Sequence, residues 1–252
     1  MRILFLLFFV STSIVLNAQL SDVMYVAAKT GLSMREKPEA GAKVMEKIPY
    51  GAKVNIVNAD EMWLPIVTEG MNGYWRRVKF NNQTGYVVDA YLFNVPPPKL
   101  AVVKEMKQYL AQLAQPFGAK LVVKSGSTSH LNEGGWELRK QLYKNGAEWH
   151  EAMGYEYGSD TYFIPGFTVQ QGFLLLRLIP AFNHIIGEKD EFTSVSKKIK
   201  KGEIEYDIKV EKLTEDASWI NKITISYEEG AYYTLEIYQT DFQLVVHFNS
   251  GL

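Results

Sequence analysis

Apolar and charged positions take turns through the C-terminal stretch of the chain. Ile204, Tyr206, Ile208 and Val210 alternate with Glu203, Glu205, Asp207, Lys209 and Glu211, the two-residue period of a strand with one face in a core and the other in water. Ile223, Ile225 and Tyr227 repeat the pattern, Glu228-Glu229-Gly230 supplies a turn, and Tyr233, Leu235 and Ile237 continue it. Phe242, Leu244, Val246 and Phe248 make a further strand. Connections this short predict sequential antiparallel pairing, a meander whose inner face packs on a second layer. Upstream, Asn145-Gly146 is a hairpin signal between 136–144 and 147–157. A helical period shows in 100–114, where Val103, Met106, Leu110, Leu113 and Ala114 form one apolar face before Pro116 and Gly118 stop it. The nearly all-apolar run 173–179 fits either a buried strand or a short buried helix, and periodicity does not separate the two.

At the other end, Arg2 precedes the apolar run 3–10, Ser11, Thr12 and Ser13 interrupt it, and a second short apolar piece ends at Ala18. A membrane-spanning helix needs ~20 mostly apolar residues. The interrupted segment therefore reads as a signal peptide over 1–18, cleaved after Ala18 so that the mature chain begins at Gln19 and spans no membrane. The expected location is the periplasm or the extracellular space. Val95-Pro96-Pro97-Pro98-Lys99 is the clearest internal break, since consecutive prolines join neither a helix nor a central strand. The expected division is 19–94, a linker over 95–99, and 100–252.

Before the prolines, Leu32-Ser33-Met34-Arg35-Glu36-Lys37-Pro38 is followed by Val44, Ile48, Gly51, Val54 and Ile56, then by Trp75, Val78, Gly85-Tyr86-Val87 and Tyr91-Leu92. This ordered set resembles the bacterial SH3-like domain over about residues 24 to 93, with Met34 where that family usually has Val. The resemblance implies a small β barrel that binds peptides or cell-wall material, or docks on a partner domain, without catalysing a reaction. Gly51 and Gly85 stand between apolar runs, where a tight turn would need positive φ. One departure is the long connection 58–72, carrying Trp63, Pro65 and Met71, which either covers a groove or builds one. The whole chain is thus expected to be mainly β: an SH3-like small β barrel followed by a β-rich α+β domain with an antiparallel meander and one N-terminal helix.

Composition narrows the chemistry. Lys plus Arg number 27 against 28 for Asp plus Glu, a net charge of -1 that supplies no general attraction for nucleic acid. The absence of cysteine excludes disulfides, thiolate metal sites and a cysteine nucleophile. The four histidines are His130, His150, His184 and His247; His150-Glu151 lacks the second histidine four residues on that a zinc peptidase helix requires, so no metal or cofactor is expected. Lys124-Ser125-Gly126-Ser127 offers a polar turn rather than a hydrolase nucleophile. Glu133, Glu137, Glu148, Glu151 and Glu156 beside Trp136, Trp149, Tyr155 and Tyr157 suggest either a sugar cleft with paired carboxylates or the polar face of a hairpin. Lys197, Lys198, Lys200 and Lys201 read as a solvated loop between strands, or as a contact for anionic envelope polymers.

These observations predict an exported, non-enzymatic envelope protein whose SH3-like module binds a cell-wall peptide or glycan, or an envelope protein. A cell-wall hydrolase with its active site in 100–252 is the rival, and a structural subunit docking through both domains is a third. The candidate groove collects Tyr50, Trp63, Tyr74, Trp75 and Tyr86, because aromatics left outside a small barrel gather beside its loops. Trp75 and Tyr86 as core residues, with Trp63 sealing the joint to the C-terminal domain, is the alternative arrangement.

Overall fold

A computed structural model describes residues 23–57, 64–126, 134–214 and 219–252. Residues 1–18, read above as a signal peptide, and Trp63, Ser127, His130 and Glu133 lie outside these described residues. Eight short strands precede the prolines: β1 (Val23–Val26), β2 (Leu32–Arg35), β3 (Val44–Ile48), β4 (Lys53–Ile56), β5 (Leu64–Thr68), β6 (Met71–Phe80), β7 (Gln83–Val88) and β8 (Leu92–Phe93). They form one antiparallel sheet in the order β3-β2-β7-β6-β4-β1-β8, with β5 added to β6. Alternate side chains of these strands, among them Val26, Met34, Ile48, Val54, Val78 and Val87, close a small core of their own.

Two glycines serve this sheet in different ways. Gly51 takes φ +75° at a turn, as its position between apolar runs suggested. Gly85 does not; it lies inside β7, where a β-carbon would fall 2.7 Å from Met34 Cγ and 2.8 Å from the Arg35 carbonyl oxygen. Close approach of β2 demands this glycine, and no turn is involved. The described part of the long connection is itself a strand and a tight turn: β5 pairs with β6 from Leu64↔Trp75 to Thr68↔Met71, and Glu69 and Gly70 take φ of 48° and 75° between them.

After the prolines come α1 (Met106–Leu113), β9 (Leu121–Ser125), β10 (Trp136–Leu142), β11 (Glu148–Gly154), β12 (Tyr157–Pro165), α2 (Val169–Arg177), β13 (Lys197–Lys201), β14 (Ile204–Lys212), β15 (Ile220–Glu228), β16 (Tyr232–Gln239) and β17 (Gln243–Gly251). The nine strands make one antiparallel sheet, β13-β14-β15-β16-β17-β12-β11-β10-β9. Two meanders, β9 to β12 and β13 to β17, are thus joined along β12 and β17, with α2 carrying the chain from one to the other. The inner face, with Tyr162, Ile164, Tyr206, Ile223, Ile225, Leu235, Ile237, Leu244 and Val246, is buried in one core with α1 and α2.

Local chemistry accounts for the departures from the expected elements. The apolar run near 173–179 is helical because Thr168 and Gln171 form a capping box, each side chain bonded to the other's backbone N–H. Gly172 lets this helix lie on the sheet, since a β-carbon there would fall 2.5 Å from Leu244 Cδ2. The first helix begins six residues later than its apolar period suggested, at Met106 instead of residue 100. Ala101 takes φ +66° in a turn closed on the Lys99 carbonyl, and Glu105 is still extended. Phe242 falls in the turn before β17 and is 84% exposed. The lysine run is an edge strand and not a loop: β13 pairs from Lys197↔Ile208 to Lys201↔Ile204.

The two sheets share a core. Ala27, Met71 and Phe93 from the first belong to the cluster built by α2 and the second sheet, and the Phe93 ring lies 4.9 Å from that of Phe167. Polar groups fix the register of this joint: Gln170 accepts from the Asn72 N–H at 2.8 Å and donates to the Asn72 carbonyl at 2.9 Å, while Gln171 donates to the Leu92 carbonyl. The carbonyls of all three consecutive prolines are used as well. Tyr109 donates to Pro96, Gln112 to Pro97, and Tyr50 to Pro98 at 2.7 Å.

Candidate functional site

Strand alternation in the first sheet decides which side chains leave its core. Register pairs Trp75 with Val88 and with Leu64, and Ile66 with Gly73, while Tyr86 pairs with Arg77 and with Arg35. Ile66, Thr68, Trp75, Tyr86, Val88 and Arg35 therefore share the outer face of β5, β6, β7 and β2, opposite to Val78 and Val87. Helix α2 and the segment 188–191 stand over this face. Between the two parts lies an open cleft of about 630 Å³, with Trp75, Val88, Tyr91, Ile66 and Leu32 on one wall and Leu174, Arg177 and Leu178 on the other.

Ion pairs brace the cleft on two sides. Arg177 donates to Glu69 Oε2 at 2.7 Å and to the Glu188 carbonyl at 2.7 Å; its Nε–H is buried without an acceptor among the described residues. Lys29 pairs with Glu188 at 2.8 Å and holds that carboxyl below the usual carboxylate range through a hydrogen bond and its charge. Thr68 Oγ1 and the Tyr91 hydroxyl lie 3.2 Å apart. Burial first, then the Glu69 charge, pushes the Tyr91 hydroxyl up against the lowering bond from Thr68. Arg35, Lys189 and Glu191 complete the polar rim. Such a surface, an aromatic and aliphatic floor inside a rim of both charges, suits an extended ligand carrying apolar side chains and polar backbone groups.

Of the five aromatic candidates Trp63 lies outside the described residues, and the other four separate. Trp75 lines the cleft and is 8% exposed, and Tyr86 shares its face of the sheet. Tyr74 projects to the opposite side, where its backbone N–H bonds Asp89 Oδ1. Tyr50 turns to the proline segment, and burial pushes its hydroxyl well above the ordinary tyrosine value. The opposing wall was missed: Arg177 ends an apolar run of undecided conformation, and no pattern in the chain brings 188–191 to β5.

The carboxylates near Trp149 are tied to cations. Lys107 Nζ lies 2.7 Å from Glu151, 3.1 Å from Asp160 and 4.2 Å from the Trp149 ring centre. Arg139 bonds both Glu137 and Glu151, at 2.5 and 2.9 Å. Burial alone would raise the Glu151 carboxyl, but hydrogen bonds and charge from Lys107 and then Arg139 hold it below the usual range. Glu148 is lowered in the same way by Lys140 and His150, against the opposing effect of burial. A glycosidase acid needs a raised carboxyl pKa; these two groups are ion-pair partners instead. His184 meets the Tyr227 hydroxyl at 3.0 Å and His247 meets Thr161 Oγ1 at 2.8 Å. Among the described residues no three His, Asp or Glu side chains gather as a metal site would require.

Among curated proteins and among solved structures, none matches the chain. Residues 30–93 match the family model of the bacterial SH3 domain, and this stretch, which holds β2 to β8, is a bacterial SH3 domain.

Proposed function

We propose that the protein is an exported component of a bacterial envelope that works without catalysis, as a binding or scaffold module. Bacterial SH3 domains are often binding modules, and the reading rests on one observation: the outer face of this domain forms a cleft with α2 and 188–191 instead of lying open or fully covered. The ligand is a cell-wall peptide or glycan, or an extended segment of an envelope protein, held over Trp75 and Tyr91. Export is supported by the apolar segment 3–10 and the small residue Ala18. Among the described residues no helix is long and apolar enough to cross a membrane.

The test compares the mature chain with a Thr30→Trp variant, which plugs the cleft from its exposed rim. The mature protein is expected to be retained on purified peptidoglycan or to capture a protein from envelope extract, and the variant to lose that retention while melting at the same temperature. Equal retention by both proteins, or none by either, overturns the assignment. Mass spectrometry of exported material is expected to find Gln19 at the N-terminus; an intact Met1 would overturn export.

A further inference from the structure

The two edges of the nine-stranded sheet are built in opposite ways. At one edge, β13 carries Lys197, Lys198, Lys200 and Lys201 in five residues, the charged protection that keeps an edge strand from pairing with another chain. At the other, β9 is Leu-Val-Val-Lys-Ser with no proline, no register break and all five residues exposed. Leu121, Val122 and Val123 are 54%, 46% and 41% exposed, and among the described residues β9 pairs with β10 alone.

Its two faces differ. Register sets Leu121 opposite Lys140, Val123 opposite Leu138 and Ser125 opposite Trp136, so Leu121, Val123, Trp136, Leu138 and Leu142 form an exposed apolar strip on the outer face, interrupted at Lys140, which pairs with Glu148. On the inner side Lys120, Val122 and Lys124 alternate and are exposed, with Lys120 Nζ 6.0 Å from the Trp149 ring centre and Lys124 opposite Glu137. A backbone with unpaired groups, an apolar strip on one face and two lysines four residues apart on the other form a template for one more strand.

We propose that β9 is a strand-addition site, which takes an extended protein segment whose side chains alternate between apolar and acidic. Apolar residues of the segment continue the strip of Val123 and Leu138, and acidic ones meet Lys120 and Lys124. A second copy of this chain is a poorer occupant. Antiparallel pairing about Val122 sets Lys120 against Lys124 of the copy, and pairing about Val123 leaves lysines diagonal to one another on one face. The site is separate from the cleft, and its test does not depend on it.

The probes are two capped fluorescent peptides, Thr-Glu-Val-Glu-Val-Glu-Thr and its counterpart with lysine for glutamate, titrated into the full mature chain by anisotropy. The acidic peptide is expected to bind about tenfold tighter at low salt. In a Lys120→Glu/Lys124→Glu variant the preference is expected to reverse, and Val123→Asp should bind neither. All three positions are exposed or strand-terminal, so unchanged melting confirms the fold. Hydrogen exchange should slow at 121–125 when the acidic peptide is bound. Absence of acidic-peptide binding, an unchanged preference after charge reversal, or protection confined to other strands overturns the proposal. So does a dimer in sedimentation that Val123→Asp abolishes, since the occupant would then be a second copy.

Discussion

Gly70 sits at the tip of the β5–β6 hairpin, and a β-carbon there would be driven into the carbonyl of Phe192 on the other sheet's side of the joint. The Phe192 N–H donates to the Glu69 carbonyl at 2.9 Å, so backbone meets backbone and no flexible side chain can yield. Gly70→Ala combines three costs. Left-handed φ, here +75°, costs an alanine ~1 to 2 kcal/mol. Overpacking against fixed atoms adds ~1 to 3 kcal/mol, and withdrawal of the hairpin breaks the Phe192 hydrogen bond, worth ~0.5 to 1.5 kcal/mol. The expected loss is roughly 3 to 6 kcal/mol. Gly51→Ala is the control, because Gly51 has the same φ of +75° and nothing within 4 Å of its β-carbon. Urea unfolding of both variants, followed by tryptophan fluorescence and by far-ultraviolet dichroism, separates backbone strain from the contact between sheets. Gly70→Ala should lie ~2 to 4 kcal/mol below Gly51→Ala. Equal losses in the two variants would refute the argument that hairpin and Phe192 are held in fixed contact.

Two further expectations follow from the joint and the ion network. Phe93→Ala removes a fully buried ring shared with Phe167 and should cost ~3 to 5 kcal/mol in urea unfolding, while a loss under 1 kcal/mol would show that the joint repacks without it. For Glu148 and Glu151 the folded pKa is depressed, so their contribution is present above the unfolded value of ~4.3 and is lost as pH falls through the folded one. Lys107→Met weakens the pairing of Glu151, so its melting temperature should fall less steeply between pH 5 and 3 than that of the wild type; parallel slopes would contradict the pairing.

The sequence pattern reached the elements whose side chains obey one period and stopped where tertiary contacts choose. Alternation through 204–248 predicted β14 to β17 and their order, because one face of each strand is buried in the core while the other carries mostly polar side chains. It was silent on the β12–β17 pairing that unites the two meanders, a contact between residues far apart in the chain. The run near 173–179 had no readable period since α2 is buried on most sides, and the Thr168–Gln171 capping box that starts the helix begins five residues before that run. The lysines of β13 looked like a loop because an edge strand needs no apolar face to be held by backbone bonds. At the site, the aromatic pattern named Tyr50, Trp63, Tyr74, Trp75 and Tyr86 together, and strand parity sets Trp75 and Tyr86 on the face of the cleft. The positions of Tyr50 and Tyr74 depended on a proline carbonyl and on strand parity, which the sequence pattern left open.

The joint ties the cleft to the rest of the molecule. Glu69 belongs to the hairpin, Arg177 to α2 and Glu188 to the segment beyond it, and the Arg177 guanidinium bonds both of the others. The Arg177 side chain is 12% exposed, and such a partly dry ion pair holds its geometry better than a surface pair. The same hairpin supplies Ile66 and Thr68 to the cleft wall and presses Gly70 on Phe192. Cleft width and sheet-to-sheet contact are therefore one variable: a ligand that spreads the walls must strain the Glu69–Arg177 pair and the Phe192 bond, while one that fits the resting width strengthens both. Binding at the SH3 face is thereby linked to the stability of the C-terminal sheet, and a ligand of the second kind raises the melting temperature of the whole chain, not of its first domain alone.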